Sequence, residues 1–234
     1  MRPSAQSMLC AVLTSCCLTM ASCSAQDSET AGTGDADTRA HSIATTDKAV
    51  SDQTASAPTL QSDLAKHDPA AFLPANARIL DKQQGDLDGQ GGKGILLILD
   101  PASKGNEKLG EGDPRTVLLL TSDESGALQK AAENARIVPC ARCGGTAGDP
   151  FGFARIDKGS FTIAISGGSR ERWSDEFTFH FDPASKTWLL EKASREVIDN
   201  ATQEHEHLGL TRADFGDIPF SEFDPDALPK AQLK

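Results

Sequence analysis

Large apolar and small polar residues alternate through residues 151–190. Phe161, Ile163 and Ile165 are separated by Thr162 and Ala164, with Ser166 following. Successive side chains of a strand point to opposite faces, so this spacing puts the three large groups on one face. Phe177, Phe179 and Phe181 repeat the pattern, with Thr178 and His180 facing the other way. Phe151 and Phe153 open a preceding strand that runs to a turn at Asp157-Lys158-Gly159, where glycine supplies the positive φ such reversals commonly need. Asp182-Pro183-Ala184-Ser185 makes the next reversal, and Trp188 starts a further strand. Each buried Phe or Ile is worth roughly 1.5–3 kcal/mol, so this face is enough to anchor a domain.

The flanking segments read less sharply. Residues 62–75 are weakly helical, with Ser62 or Asp63 as a cap and Pro69 and Pro74 as interruptions. Residues 78–80 begin an extended stretch, and 95–99 and 115–121 are continuous apolar runs of the kind buried on both faces. The Gly/Asp/Lys-rich loop 101–114 between them is expected to be mobile. Residues 126–135 contain good helix formers, but the stretch is brief and lies between strands, so a short strand or turn is expected. Only a few strand residues are expected after Leu190, and the tail is expected to pack through Phe215, Phe220 and Phe223 as an irregular cover over a sheet edge. The fold class that follows is mostly β. We expect one antiparallel domain over residues 62–225, meander, sandwich-like or propeller-blade-like, with short helices. A disordered tether precedes it and a flexible tail, 226–234, follows.

Composition narrows the setting. The chain has 234 residues, and its net charge of −11 disfavours nucleic acid, whose phosphates it would repel. No apolar run reaches the ~18–20 residues of a membrane-spanning helix. Residues 1–22 read as an export signal, with Arg2 in a positive leader and a short apolar region over 8–21. Leu18-Thr19-Met20-Ala21-Ser22-Cys23 resembles a bacterial lipobox, which implies cleavage before Cys23, acylation of its thiol and a lipid anchor in the membrane. Ser24 after that cysteine favours the outer membrane, with the domain facing the periplasm or the surface. Cleavage after Ala25, giving a soluble secreted protein, is the alternative. Residues 23–61, rich in Ala, Ser, Thr and Asp, bury too little to offset their ordering entropy. As a flexible leash of ~40 residues they would reach about 35 Å.

Candidate chemistry is sparse. Gly89-Gln90-Gly91-Gly92-Lys93-Gly94 matches the letters of a dinucleotide fingerprint but precedes a strand instead of opening a helix, so that reading is rejected. The same stretch suits a calcium-type loop, in which Asp86, Asp88, Gln90 and Gly92 would supply oxygens to one cation. It resembles the D-x-D-x-D-G-x-x-D loops of FG-GAP and VCBS repeats, which build integrin-type propeller blades. Gln90 and Gly94 replace two of the usual carboxylates, so a structural turn is favoured over a weak calcium site. Cys140-Ala141-Arg142-Cys143 is expected to be a local disulfide in an exported protein, with thiol redox chemistry and metal binding as alternatives. Trp173, with Arg170 and Arg172, is a candidate platform for a sugar or an anion; the alternative is a tryptophan packed on the sheet. No serine lies in a G-x-S-x-G context.

As a set, C-x-x-C-G-G at 140–145, G-D-P-F at 148–151, G-x-F-T-I at 159–163, G-G-S-R-x-R-W at 167–173 and D-F-G at 214–216 resemble a group of bacterial secreted proteins and lipoproteins without an established activity, whose domain follows a calcium-like loop. The resemblance covers residues 81–223 and implies an envelope or secreted setting. The function expected is non-catalytic: an envelope-anchored β module that binds another envelope protein or a glycan, without a cofactor. A CxxC redox protein or a periplasmic hydrolase is the alternative.

Overall fold

A computed structural model describes residues 66–234. The signal segment, Cys23, the tether and the Ser62/Asp63 cap lie outside the described residues. Nine strands form two antiparallel sheets in which spatial order follows chain order. The first sheet holds β1 (Arg78–Gly85), β2 (Gly94–Asp100), β3 (Arg115–Ser122) and β4 (Leu128–Val138). The second holds β5 (Phe151–Asp157), β6 (Ser160–Gly168), β7 (Glu171–Asp182), β8 (Thr187–Asp199) and β9 (His205–Thr211). Leu96, Ile98, Val117 and Leu119 of the first sheet share one core with Phe161, Ile163, Phe177, Phe179 and Leu190 of the second. The fold is therefore a mostly β protein built as two meanders packed through a common core.

The apolar runs behave as their composition requires. Every residue of β2 is buried. Its second face, Ile95, Leu97 and Leu99 with Leu118 and Leu120, packs with Phe72, Leu73 and Leu128 in a smaller cluster. Residues 66–77 lead across to that cluster: the Leu128 N–H donates to the Lys66 carbonyl, and His67 Nδ1 donates to that of Gly126. The weak helix expected there is a single 3-10 turn, Pro69–Phe72, capped by the Asp68 carboxylate. Proline is compatible with the start of a helix but not with its interior, so Pro69 opens the turn and Pro74 allows no continuation.

Two strands are longer than the sequence pattern suggested. β4 runs eleven residues through the stretch read as a short strand or turn. Its alanines, glutamates and lysine favour helix, but the ladder with β3 overrides that preference, and the strand is irregular enough to contain two register shifts. β8 spans thirteen residues and pairs with β9. A shift between Phe151 and Phe153 turns these two rings to opposite faces, leaving Phe153 exposed beside Arg155.

The tail does more than cover an edge. The Leu190 N–H donates to the Ile218 carbonyl and the Phe220 N–H to that of Trp188, so the chain pairs with the part of β8 that β9 leaves open. A one-turn helix, α1 (Arg212–Phe215), leads into it. Phe220 and Phe223 are fully buried and lie edge-on to Phe161, Phe177 and Phe179, while Phe215 is half-buried. Packing continues beyond residue 225: Leu228 is buried, and Pro229 accepts a hydrogen bond from Arg195. The boundary drawn after residue 225 thus falls inside a packed segment.

Candidate functional site

The calcium-type loop is folded on protein partners. The Asp86 carbonyl accepts from the Gly159 N–H at 2.9 Å, and Trp188 Nε1 donates to the Leu87 carbonyl at 2.7 Å. A Cβ at Gly89 would lie 3.3 Å from the Gly159 backbone, so two glycine turns, one from each sheet, abut here. Within the loop, Asp86 Oδ2 accepts from the Gly91 N–H and Asp88 Oδ1 from the Gln90 N–H. Asp86 Oδ1 is buried without a hydrogen-bond partner and is the one atom that favours a cation. The donor set does not fit a tight site: Gln90 is exposed, Gly94 brings no oxygen from a side chain, and two carboxylates are left where six to eight oxygens are needed. Among the described residues no group of three or more His, Cys, Asp or Glu is placed to hold a metal. Calcium added to ~1 mM, the range of weak extracellular modules, is expected to leave the thermal unfolding midpoint unchanged. An upward shift that Asp86→Asn abolishes would put a cation on Asp86.

Cys140 and Cys143 form a disulfide. Cys140 is buried, and its Sγ lies 3.2 Å from the Glu111 carbonyl oxygen, while the Gly110 N–H donates to the Arg142 carbonyl at 2.8 Å. The bridge thus serves as a post against which the 101–114 loop is held. A 3-10 turn, Gly145–Ala147, follows, not the helix whose N-terminus would activate a thiol. Beside it, Arg115 is fully buried. Its Nε donates to Asp100 at 2.8 Å and its two terminal nitrogens fork onto Asp149 at 2.6 Å each. Arg78 donates to the other oxygen of Asp100. This Arg78–Asp100–Arg115–Asp149 chain ties the ends of β2 and β3 to the entry of β5.

Burial alone would raise the Asp149 pKa, but the Arg115 hydrogen bonds and charge, with the Phe151 N–H, outweigh it and hold the carboxyl below its usual range. Asp199 is also lowered, first by its hydrogen bond from Arg170, and Asp226 by its bond from Lys230. A carboxylate with a depressed folded pKa contributes stability above its unfolded pKa and loses it as pH falls through the folded value. Unfolding midpoints are therefore expected to hold near neutrality and to fall below about pH 4. Asp149→Asn is expected to flatten part of that slope, and an unchanged slope would contradict the assignment.

The predicted platform is split by the pleat. Trp173 shares its face with Asp175 and Phe177, while Arg172 points to the opposite face with Ser174. Arg170 is paired with Asp199, at 2.8 Å. Trp173 instead lies over Gly167, where a Cβ would come within 2.6 Å of the indole. It lines a cleft of about 400 Å³ whose wall includes Ile137, Ile165, Val197, Glu171 and Glu196. At its back Arg195, an inward-facing charge on β8, forks onto Asp175 at 3.0 and 2.7 Å. The remaining Arg195 nitrogen donates to the carbonyls of Pro225, Leu228 and Pro229 and so fixes the tail as one wall. Sequence reading found Trp173 but not these neighbours, since Arg195 and the tail meet it only after folding.

One pair went unread. Ser194 Oγ and His207 Nε2 are 3.0 Å apart on the exposed face of the second sheet, and Glu196 is the residue paired across the ladder from His207. The two lie thirteen residues apart, and only the β8–β9 register brings them together. Comparison of the chain with protein-family models, curated proteins and solved structures found no match.

Proposed function

We propose that the chain is an envelope lipoprotein, anchored through Cys23, whose β-sandwich is a non-catalytic binding module for another envelope component, protein or glycan. The export signal and lipobox support the setting, with the soluble secreted form as the alternative, and the acidic net charge argues against nucleic acid. The FG-GAP-like loop and the C-x-x-C-G-G to D-F-G set support kinship with the secreted and lipoprotein group they resemble. In this reading the loop is a structural turn and the module works without a cofactor.

The observation that carries the proposal is the Trp173 cleft, a concave site with an aromatic wall and a few polar groups, formed where both sheets and the tail meet. Its test is retention of solubilised envelope protein and glycan fractions on the immobilised chain, wild type beside Trp173→Ala. Retention that requires Trp173 supports the module; retention indifferent to Trp173 contradicts it.

The disulfide belongs to the scaffold in this account. It closes a short loop, so Cys143→Ser is expected to cost about 2 kcal/mol of stability and leave retention unchanged. Loss of retention in a folded Cys143→Ser protein would favour the thiol-redox alternative. The hydrolase alternative has the Ser194–His207 pair in its favour. Covalent labelling of Ser194 by a fluorophosphonate probe, lost in His207→Ala, would establish it; an unlabelled chain would remove it.

A further inference from the structure

We infer that the Trp173 cleft takes an uncharged sugar, roughly one or two pyranose rings of an envelope glycan; this rests on the binding-module reading above and names its ligand.

The first observation is an unused donor. The two tryptophans differ: buried Trp188 gives its Nε1 proton to the Leu87 carbonyl, whereas half-buried Trp173 has no acceptor among the described residues. The indole, set against Gly167 and lining the cleft, combines an apolar ring with an N–H that no protein group uses among the described residues.

The second is the balance of charge. Asp175 is consumed by Arg195 and Asp226 by Lys230. What remains at the rim is Glu171, on the Trp173 face of β7, and Arg136, which gives one hydrogen bond, to the Ser221 carbonyl at 3.2 Å; the Glu196 carboxylate turns to Ser174 on the other face of the sheet. A carboxylate accepts hydrogen bonds from hydroxyls, and a guanidinium with spare N–H groups donates to hydroxyl and ring oxygens.

These features exclude other guests in turn. One carboxylate offsets the one guanidinium, so the rim offers an acidic sugar no net positive charge, and the chain's net charge of −11 repels it. A purely apolar guest would strip water from Glu171 and Arg136 and return no hydrogen bond. An extended peptide binds through its backbone on a free strand edge, whereas the polar groups offered here are side chains. A sugar ring meets both needs, its C–H face on the indole and its hydroxyls on the rim.

The test is a fluorescence titration of the full mature chain with chitotriose, maltotriose and, as the acidic counterpart, trigalacturonate. Trp188 is buried, so a change in emission on binding reports Trp173. We expect a saturable response to at least one neutral trisaccharide, about tenfold or more weaker binding of trigalacturonate, and, by titration calorimetry, loss of the heat of binding in Trp173→Phe with the unfolding midpoint retained. Should Trp173→Phe unfold, Glu171→Gln, at an exposed rim position, is expected to weaken neutral-sugar binding in a folded chain. Silence toward both neutral trisaccharides up to ~10 mM, or equal binding of the acidic one, overturns the inference. A Trp173-dependent response to peptides alone overturns the sugar assignment and spares the binding module. Envelope fractions that pass the column unretained fail the module itself.

Discussion

Arg115→Ala is expected to remove roughly 3–5 kcal/mol of stability, the range for deleting one member of a buried ion pair. Arg115 is fully buried and is the only arginine hydrogen-bonded to Asp149 among the described residues, while Asp100 keeps Arg78. Deletion leaves two carboxylates near one another with a single cation between them. Asp149→Asn is expected to cost less, about 1–2 kcal/mol, because that side chain is 47% exposed and water can replace part of what it loses. Urea unfolding of the two variants gives the comparison. A change below ~1 kcal/mol for Arg115→Ala would mean that the pair behaves as a solvated surface bridge.

Phe220→Ala and Phe223→Ala are each expected to cost about 3–5 kcal/mol. The Phe220 ring lies 5.2 Å from Phe161 and 5.3 Å from Phe179, and that of Phe223 lies 4.9 Å from Phe177 and 5.4 Å from Phe179. The two rings fill the sheet face that the alternating phenylalanines create. A domain of this size has about 5–15 kcal/mol in total, so either change takes a large share, and truncation before Pro219 is expected to prevent folding. Unfolding midpoints within a degree or two of wild type would show the tail to be a dispensable cover. The same variants test how the cleft is built, since Arg195 holds the wall that begins at Pro225.

How much of this was legible depended on how each residue signals its face. Phe161 to Ile165 and Phe177 to Phe181 announce a sheet because large apolar groups fall on every second position, and nothing charged interrupts them. The sequence pattern of β8 ends early because its inward set includes Arg195, a charge that reads as solvent-facing although Asp175 and three tail carbonyls meet it in the fold. β4 was blurred for the opposite reason, since an exposed strand made of Ala, Glu and Lys has the composition of a helix. Asp149 enters the sequence pattern only within the G-D-P-F motif; its role as the partner of Arg115 spans 34 residues and no local pattern carries it. Trp173 was conspicuous as one of two tryptophans, but the arginines beside it in sequence are separated from it by the pleat. Its neighbours in space come from β4, β6, β8 and the tail.

The central claim is that the cysteines, the glycine loop and the buried charges brace a scaffold, while ligand contact is confined to Trp173 and its cleft. The most direct measurement follows the two indole N–H resonances of the ¹⁵N-labelled chain as neutral oligosaccharide is added. The account predicts that the Trp173 signal, unbonded and open to solvent exchange, shifts in a saturable way, while the protected Trp188 signal stays in place. Backbone shifts centred on Cys140 and Cys143, or on Asp86 and Asp88, with the Trp173 signal unmoved, would contradict it.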